Sequence, residues 1–449
     1  IKTKTTIRIM KNKNNKEKRC NQIQRFFYNQ NSMNIKLNQS QANQKSEIKV
    51  TGSKSETNRL LLLQALYPNI ALENTSNSDD SEVMAKALTQ NSKPKTQNLQ
   101  PEIIDIHHAG TAMRFLTAYF ATQENREVII TGSPRMKERP IKILVEALQQ
   151  LGAEITYEEN QGFPPLKIKG KKLSKSKVSL PADISSQYIS ALLLIAPKLE
   201  NGLELSLEGK ITSIPYIKMT LAILNDLGFE TSFVDNTIAV KPKLIIHNSK
   251  FIIESDWSSA SYFYSIVALS DIGTEIKLSS YKENSLQGDS VLSEIYKNLG
   301  VETTFENHQI ILKKASDLNQ QSQILDLNEA PDIAQTIAVT CFGLGIGCHL
   351  TGLHTLKIKE TDRLEALRIE LQKLGANITV TDDSLTLEVS SVTESNIAID
   401  TYNDHRMAMA FAPLALLTDI IINDAEVVSK SFPDFWNDLK AIGFKVEKQ

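Results

Sequence analysis

Four short segments of this chain combine a basic side chain with small or acidic residues ahead of a helix-like stretch. They are Gly52-Ser53-Lys54-Ser55 with Arg59, Gly110-Thr111-Ala112-Met113-Arg114, Lys359-Glu360-Thr361-Asp362-Arg363, and Asp404-His405-Arg406. A helix N-terminus offers free N–H groups and a partial positive charge, and a nearby Lys or Arg adds a full charge. The pattern therefore predicts a site for a polyanionic substrate.

Two carboxylates among these cations are candidates for proton transfer. Glu360 lies between Lys359 and Arg363, and Asp332 precedes an apolar segment. Neighbouring cations keep a carboxylate ionised, and a carboxylate held close to a reacting atom can exchange a proton with it. We therefore expect group transfer on phosphorylated small molecules. His405 is either a proton shuttle or a residue that holds its neighbours by hydrogen bonds.

Other polar segments have a plain structural explanation beside a functional one. Arg135 to Pro140 is a basic run that is either a solvated face or a ligand loop after a buried strand, and Ser185-Ser186-Gln187 and Ser213 with Tyr216 are either helix caps or ligand donors. Lys430 precedes Ser431-Phe432-Pro433. Thr111 is expected to cap one helix, and Asp362 with Glu365 three residues on predicts a capping box.

The composition is that of an ordinary globular protein. The chain has 449 residues, of which 41% are hydrophobic and 23% are charged. No apolar run approaches the roughly 18 residues that a transmembrane helix needs. Cys20, Cys341 and Cys348 form no Cys-x-x-Cys pair, which suits a reducing compartment such as the cytoplasm. The histidines show no zinc-binding spacing, so we expect no metal site.

Residues 1–32 differ from the rest of the chain. They carry +8 of a formal net charge of −2, which leaves −10 for the remainder. We expect this Asn- and Lys-rich segment to be a disordered basic tail. The alternatives are an RNA-binding arm, a transit peptide, or sequence that is not translated, with synthesis starting at Met33; the last is favoured. The acidic body argues against nucleic-acid binding.

A short phrase at the ends of helix-like segments repeats along the chain. It contains Gly152, Gly228, Gly300, Gly375 and Gly443, which are 76, 72, 75 and 68 residues apart. Each glycine is expected to end a helix in the left-handed conformation, ahead of a strand. The period predicts six α/β units, the first of which lacks the glycine, and hence two domains of three units with a ligand between them. The alternative is that an α/β protein simply reuses Leu-Gly at helix ends.

The ordered set of motifs resembles the 5-enolpyruvylshikimate-3-phosphate synthase family of enolpyruvyl transferases. The resemblance runs from about Lys49 to Leu439 and includes Ala109-Gly110-Thr111-Ala112-Met113-Arg114, Lys359 to Arg363 and Asn403 to Ala408. It implies an α/β fold of two similar domains, each with three βαβαββ-type units around inward-facing helices. The N-terminal strand would belong to the C-terminal-type domain (residues 33–52 and 255–449), and residues 53–254 would form an inserted domain.

The resemblance also implies an activity. Family members transfer the enolpyruvyl group of phosphoenolpyruvate to the 5-hydroxyl of shikimate 3-phosphate, on the route to chorismate and the aromatic amino acids, without a metal or organic cofactor. The catalytic residues would be Asp332, Glu360, Lys54 and His405. Shikimate 3-phosphate would contact Lys54, Ser55, Arg59, Ser185, Ser186, Gln187, Ser213, Asp332, Thr355 and Lys359. Phosphoenolpyruvate would contact Lys54, Gly110, Arg139, Gln187, Arg363, Arg406 and Lys430.

Two positions depart from the family pattern, and two rival functions stay open. His108 and Thr355 stand where many members have Asn. The nearest rival, UDP-N-acetylglucosamine enolpyruvyl transferase, usually carries a reactive cysteine in its first domain, and this chain has no cysteine between Cys20 and Cys341. The other rival is a non-catalytic anion-binding protein on the same fold. We expect a cytoplasmic monomer that binds small molecules, and neither nucleic acid nor membrane.

Overall fold

A computed structural model describes residues 33–89, 101–182, 185–243, 245–316 and 321–449. The basic tail predicted for residues 1–32 lies outside this range. The α-helices of the described residues are Lys54–Leu66, Asp79–Thr89, Gly110–Ala121, Pro134–Lys137, Lys142–Gln150, Ser186–Ile195, Ile214–Asp226, Trp257–Leu269, Leu292–Lys297, Ala334–Gly343, Arg363–Lys373, His405–Phe411 and Phe435–Ala441. The 3₁₀ helices are Ala196–Lys198, Gly288–Val291, Pro331–Ile333, His354–Ile358, Ala412–Leu416 and Ala425–Lys430.

The strands are short, with three to six residues each. In chain order they are β1 Ile35–Asn38, β2 Lys45–Ile48, β3 Ile70–Glu73, β4 Glu102–Asp105, β5 Glu127–Thr131, β6 Glu154–Tyr157, β7 Leu166–Lys169, β8 Lys177–Pro181, β9 Leu203–Glu208, β10 Thr231–Val234, β11 Thr237–Val240, β12 Ser249–Ile252, β13 Glu275–Ser279, β14 Val301–Glu306, β15 Gln309–Lys314, β16 Gln323–Asp326, β17 Cys348–Thr351, β18 Ile378–Val380, β19 Leu385–Leu387, β20 Ile397–Ile399, β21 Ile420–Ile422 and β22 Lys445–Lys448.

Within the described residues the strands form six sheets, and five of them share one topology. Each of the five has four strands, in the orders β4-β5-β7-β6, β8-β9-β11-β10, β2-β13-β15-β14, β16-β17-β19-β18 and β20-β21-β1-β22. The first pair in each order is parallel and the other two pairs are antiparallel. The sixth sheet contains only β3 and β12, which are parallel. The prediction of six repeated units agrees with these sheets.

The repeated glycine lies at the same place in each of the five units that contain a four-stranded sheet. Gly152, Gly228, Gly300, Gly375 and Gly443 all have positive φ, between 80° and 108°. A side chain in this left-handed region is strained, and glycine is not. The strand that follows each glycine (β6, β10, β14, β18 and β22) lies at an edge of its sheet. The unit without the glycine is the one with the two-stranded sheet.

Two of the long helices are buried inside the units. Trp257–Leu269 is buried at eleven positions, and Gly110–Ala121 is also buried all round. Helices that are apolar on every side require neighbours on every side. The strands instead alternate between buried and exposed residues, as in Leu203–Glu208. None of the described helices combines the length and the apolar character needed to span a bilayer.

The buried apolar residues form two separate clusters. One cluster contains residues from Leu60 to Ile253, and the other contains residues of β1 and β2 together with residues from Trp257 to Phe444. The chain passes between them twice, side by side: Ser53 N donates to Glu254 O at 2.7 Å, and Gly52 and Ser255 form an isolated β-bridge. The domain boundaries inferred from the sequence remain a prediction, which this division of the core supports.

Candidate active site

A polar cavity lies between the two core clusters, and helix N-termini from both clusters meet at it. All the sequence-predicted site residues except Lys430 line its wall. They are Lys54, Ser55, Arg59, Gly110, Arg139, Ser185, Ser186, Gln187, Ser213, Asp332, Thr355, Lys359, Glu360, Arg363, His405 and Arg406. The residue after Lys430, Ser431, also lines the cavity.

Arg363 is the centre of a buried charge network. The exposed fraction of its side chain is 2%, and it begins the helix Arg363–Lys373, which Asp362 caps by accepting from Glu365 N at 3.2 Å. Its guanidinium donates to Asp404 Oδ2 at 2.7 Å, to Asp332 Oδ1 at 2.8 Å and to Glu360 Oε2 at 2.8 Å. The planar fork of arginine suits several carboxylates at once. One guanidinium thus sets the relative positions of both predicted proton-transfer groups.

Asp332 is surrounded by positive charge. Lys359 Nζ lies 3.3 Å from Asp332 Oδ1, and Arg406 Nη2 lies 3.6 Å from Asp332 Oδ2. Burial by itself would raise the pKa of Asp332, but Lys359, Arg406 and Arg363 together hold the pKa well below its usual value. The carboxylate is therefore ionised and able to accept a hydrogen bond from a substrate hydroxyl.

Glu360 lies where charges from both sides of the cavity act on it. Burial raises the pKa of its carboxyl, whereas Arg363, Arg139, His405 and Lys54 lower it, and the net pKa is well below the usual range. Glu360 is thus ionised while the cavity holds no other anion than its own carboxylates. An anionic substrate would offset the cations and raise the pKa of Glu360 toward the range in which it can donate a proton.

His405 has no hydrogen-bond partner on either ring nitrogen in the described part of the chain, although it is buried. Burial, followed by the charges of Lys54 and Arg406, holds the pKa of its imidazole well below 6.5. His405 is therefore neutral, with one ring nitrogen able to donate and the other able to accept. This neutral ring favours hydrogen bonding to a ligand over a role as a permanent cation.

Lys54 and Arg59 lie in the part of the cavity wall that belongs to the first core cluster. Lys54 Nζ lies 3.3 Å from Asp80 Oδ2. Arg59 donates to Ser55 O at 2.7 Å and, through further N–H groups, to Ser190 and Thr220 on two other helices. Burial lowers the pKa of Arg59 to about 10. Arg59 therefore braces three helices as well as lining the cavity.

The close packing of Arg139 against Gly110 explains why this position needs a glycine. A Cβ placed on Gly110 would lie 2.6 Å from Arg139 Nη1. Thr111 does not cap the helix, contrary to expectation: the helix begins at Gly110, and its N-cap residue is Ala109, whose side chain makes no capping hydrogen bond. Because Thr111 lies one position inside the helix, its hydroxyl instead accepts a hydrogen bond from Gln187 Nε2 at 3.3 Å.

Serine residues also line the part of the wall that belongs to the first core cluster. Ser185 caps the helix Ser186–Ile195 by accepting from Gln187 N at 3.3 Å. Ser213 has φ of 52°, in the left-handed region, and precedes the helix Ile214–Asp226. A non-glycine residue held there is uncommon and is often found at ligand sites.

Lys430 is the one predicted contact that does not line the cavity. Its Nζ donates to the backbone carbonyl of Asn403, which together with Tyr402 has positive φ. Burial lowers the pKa of Lys430, although Glu360 and Asp404 oppose this effect. The ammonium group is therefore near the network but bound to the turn that leads into His405–Phe411.

The two departures from the family pattern have different surroundings. His108 is not on the cavity wall; its Nδ1 shares a hydrogen bond of 2.9 Å with Ser133 Oγ. Thr355 is on the wall, and its buried hydroxyl has no hydrogen-bond partner among the described residues. The hydroxyl of Thr355 is therefore available to a ligand.

The motif analysis missed several polar residues of the wall. Asp80 pairs with Lys54, Asp256 caps Trp257–Leu269, and Ser258 and Asp289 lie close to Arg406. Asp80 and Asp289 belong to segments without a basic residue beside them. The site prediction depended on cations at helix starts, so it did not include these two residues. In the described ranges, no group of three His, Cys, Asp or Glu residues is arranged to hold a metal ion.

Comparison with known proteins gives this arrangement a family. The family model described as EPSP synthase (3-phosphoshikimate 1-carboxyvinyltransferase) matches residues 38–439. The chain belongs to the EPSP synthase family. A 3-phosphoshikimate 1-carboxyvinyltransferase of Bacteroides fragilis (strain YCH46) is 46% identical over 408 residues, which cover 90% of this chain and 96% of that protein.

More distant members of the EPSP synthase family agree with this result. A 3-phosphoshikimate 1-carboxyvinyltransferase of Vibrio campbellii is 38% identical over 419 residues, covering 88% of this chain and 96% of that protein. The solved EPSP synthase of Acinetobacter baumannii superimposes with a TM-score of 0.75 at 20% identity, covering 93% of this chain and all of that one. This likeness confirms the predicted fold, which is the enolpyruvyl transferase architecture of two similar domains built from repeated α/β units.

Proposed function

We propose that this chain transfers the enolpyruvyl group of phosphoenolpyruvate to the 5-hydroxyl of shikimate 3-phosphate, releasing phosphate. The observation that carries the proposal is the joint binding of Asp332 and Glu360 by Arg363 inside a cavity rich in cations. Two small anionic substrates fit such a cavity, because fixed cations compensate their charge. The family to which the chain belongs supports the same reaction.

In the proposed addition step, Asp332 takes the proton of the 5-hydroxyl as its oxygen bonds to carbon 2 of phosphoenolpyruvate. Glu360 gives a proton to carbon 3, so that the double bond becomes a methyl group. In the elimination step Glu360 takes a proton back from that methyl group, the double bond re-forms, and the carbon–oxygen bond to phosphate breaks, with the departing phosphate taking the proton that Asp332 had accepted. Preorganised cations that stabilise the developing charge typically contribute about 3 kcal/mol each.

The proposed binding roles divide the wall between the two substrates. Shikimate 3-phosphate would contact the serine-lined side with Asp332, Thr355 and Lys359. Phosphoenolpyruvate would contact the side with Gly110, Arg139, Arg363 and Arg406, and Lys54 and Gln187 would lie between the two. Lys430 would join the phosphoenolpyruvate side through its remaining N–H groups, since the bond to the carbonyl of Asn403 uses one of three.

Three further assignments belong to the proposal. The inserted domain would comprise residues 53–254, and the second domain would comprise residues 33–52 and 255–449. The protein would act as a cytoplasmic monomer on these small molecules. It would need neither nucleic acid nor a membrane. Size-exclusion chromatography with light scattering tests the monomer, since a mass near 50.1 kDa is expected for one chain.

The test of the reaction is phosphate release from phosphoenolpyruvate. Release is expected with shikimate 3-phosphate and not with UDP-N-acetylglucosamine or without an acceptor. Release with UDP-N-acetylglucosamine alone would identify the rival transferase. Binding of shikimate 3-phosphate without any release would favour an anion-binding protein on this fold.

A further inference from the structure

A buried carboxylate that none of the proposed steps uses lies beside the cavity. Asp289 is 2% exposed and lies in the 3₁₀ helix Gly288–Val291. Its Oδ2 accepts a hydrogen bond from Ser258 Oγ. Its other oxygen, Oδ1, is buried and has no hydrogen-bond partner within the described residues. Leaving a carboxylate buried in this way is costly, so its position requires an explanation.

Ser258 connects this carboxylate to Arg406. Arg406 Nη2 donates to Ser258 Oγ at 3.1 Å, whereas the nearest oxygen of Asp332 is 3.6 Å away. A hydroxyl that donates its one proton to a carboxylate presents only lone pairs elsewhere. The bond to Asp289 therefore makes Ser258 an acceptor for the guanidinium of Arg406.

The backbone around Asp289 is fixed from three sides. The side-chain carbonyl of Gln287 accepts from Trp257 N at 3.0 Å, and its amide donates to Ser255 O at 2.9 Å. A Cβ on Gly288 would lie 2.7 Å from the carbonyl oxygen of Glu329. The segment is thus locked to the start of the helix that carries Ser258 and to the loop that precedes Asp332.

We propose that Asp289 is a positioning residue that, through Ser258, orients Arg406 toward the phosphoenolpyruvate subsite and away from full pairing with Asp332. The proposal deepens the proposed function and rests on it. Without this acceptor, the guanidinium would be free to move onto Asp332. It would then be less available to phosphoenolpyruvate, while Asp332 would be the one shikimate 3-phosphate contact that gains a closer neighbour.

The charge of Asp289 changes between pH 5 and pH 8. Burial raises the pKa of Asp289 to about 6, and Asp332 and Asp256 also raise it, whereas Arg406 and Ser258 lower it. The phenol of Tyr216, from the other core cluster, also faces this group. Asp289 is therefore ionised at pH 8 and protonated at pH 5.

The variant Asp289→Asn keeps the shape and an acceptor oxygen but removes the charge. Its KM for phosphoenolpyruvate is expected to rise about tenfold at pH 8, the effect of weakening one hydrogen bond to a charged group. The KM for shikimate 3-phosphate should change less than about twofold, within the usual scatter of a variant away from that subsite. Asp226→Asn, an exposed position at the end of Ile214–Asp226, is the matched control.

The ratio of the two KM values for phosphoenolpyruvate, variant over wild type, is the decisive quantity. It should fall from about ten at pH 8 toward one at pH 5, because wild-type Asp289 then carries a proton as well. The titration of phosphoenolpyruvate itself cancels in this ratio. A purely structural role would give a ratio that does not follow pH. A constant ratio, or no change in KM at pH 8, would overturn the proposal.

Two further measurements keep the outcome clear. If Asp289→Asn does not fold, Ser258→Ala tests the same connection and should raise the same KM; Ser258→Thr, which keeps the hydroxyl, should restore it. Turnover by the wild type decides the proposed function first. If the wild type shows no turnover, calorimetric titration with phosphoenolpyruvate in the presence of shikimate 3-phosphate compares the affinities directly, and equal affinities at pH 8 would refute the role of Asp289.

Discussion

Arg363 Nε donates to Asp404 Oδ2 at 2.7 Å, and both side chains are buried. Asp404 at the same time caps the helix His405–Phe411 by accepting from Arg406 N at 2.9 Å. One carboxylate therefore fixes the guanidinium that binds both predicted proton-transfer groups and the start of the helix that carries His405 and Arg406. The two halves of the charge network are therefore joined through Asp404.

Arg363→Lys should abolish turnover and destabilise the protein. Lysine has no planar fork, so at least one of the three carboxylates, of which Asp404 is fully buried and Asp332 and Glu360 are partly buried, loses its partner. Leaving a buried charge unpaired costs about 3–5 kcal/mol, which chemical denaturation measures. Arg368→Lys, on the exposed face of the same helix where Arg368 pairs with Glu365, should change stability by less than about 1 kcal/mol. Equal effects of both variants would contradict the central role of Arg363.

Glu360→Gln should remove proton transfer while leaving substrate binding intact. The amide keeps the shape but cannot exchange a proton with carbon 3, and losing general acid–base catalysis typically costs about 10²–10⁴ in rate. Steady-state phosphate release gives the loss in kcat, and calorimetry should give a Kd for shikimate 3-phosphate close to that of the wild type. The control is Glu365→Gln, whose carboxylate pairs with Arg368 at the surface. Turnover within twofold of the wild type would exclude Glu360 as the proton donor.

Gly110→Ala should weaken phosphoenolpyruvate binding by displacing Arg139. The new Cβ would lie 2.6 Å from Arg139 Nη1, at the flexible end of a side chain. The guanidinium can move aside, so we expect an unchanged melting temperature but a KM for phosphoenolpyruvate that is about 10–100-fold higher, the effect of losing a hydrogen bond to a charged group.

A double-mutant cycle checks the explanation of the Gly110 effect. In an Arg139→Lys background the side chain no longer carries the guanidinium that the methyl group meets, so Gly110→Ala should have a much smaller effect on KM. Fully additive effects of the two substitutions would show that the methyl group acts through something other than Arg139.

Glu56→Gln should stabilise the protein at neutral and alkaline pH. Burial and the charge of Glu254 raise the pKa of Glu56 from 4.5 to about 7, against the opposing effects of Lys282 and Arg59. As pH rises from 4.5 to 7, the unfolded chain releases this proton and the folded chain keeps it, so stability falls with pH across that window. The full difference, about 3 kcal/mol, is present above pH 7.

Denaturant unfolding at pH 8 and at pH 4.5 measures this effect. Glutamine keeps an oxygen that can accept from Glu254 N, as Glu56 Oε2 does at 3.2 Å. The variant should be more stable than the wild type at pH 8 and nearly equal to it at pH 4.5. Glu306→Gln, at an exposed position, should show no such difference. A stabilisation that is the same at both pH values would rule out the titration of Glu56 as its cause.

The repeat of the fold could be predicted from the sequence because one residue type reports one backbone conformation. Gly152 and its four counterparts occupy left-handed positions at the ends of helices, and that requirement survives in a single sequence. The sequence carries no comparable signal for the place of β1 as the third strand in the order β20-β21-β1-β22. The pairing of two strands that lie nearly a whole chain length apart in sequence depends on packing. Only the resemblance to the family indicated it.

The site could be predicted where charge and helix starts coincide, and not elsewhere. Lys54, Arg139 and Arg363 could be predicted as site residues because helix capping accounts for small and acidic residues at a helix start but not for a cation beside them. Asp289 and Ser258 look like ordinary loop and helix-start residues; their importance comes from the folding of two distant segments against Arg406. The contact of Lys430 with phosphoenolpyruvate was predicted only from the resemblance to the family. Its bond to Asn403 depends on a backbone turn that the sequence does not indicate.

The pairing of β1 with both β21 and β22 has a consequence for biosynthesis. Ile35 lies opposite Lys448 in that sheet, so the second core cluster is complete only when the last strand has left the ribosome. The first cluster uses residues from Leu60 to Ile253 only, and such a contiguous unit can fold while the rest is still being made. During synthesis, the inserted unit is made between β1 and β2 and their partner strands β13, β21 and β22, so these two sheets can be completed only after it has been made. We therefore expect the inserted unit to fold first and the discontinuous one to fold around its completed ends.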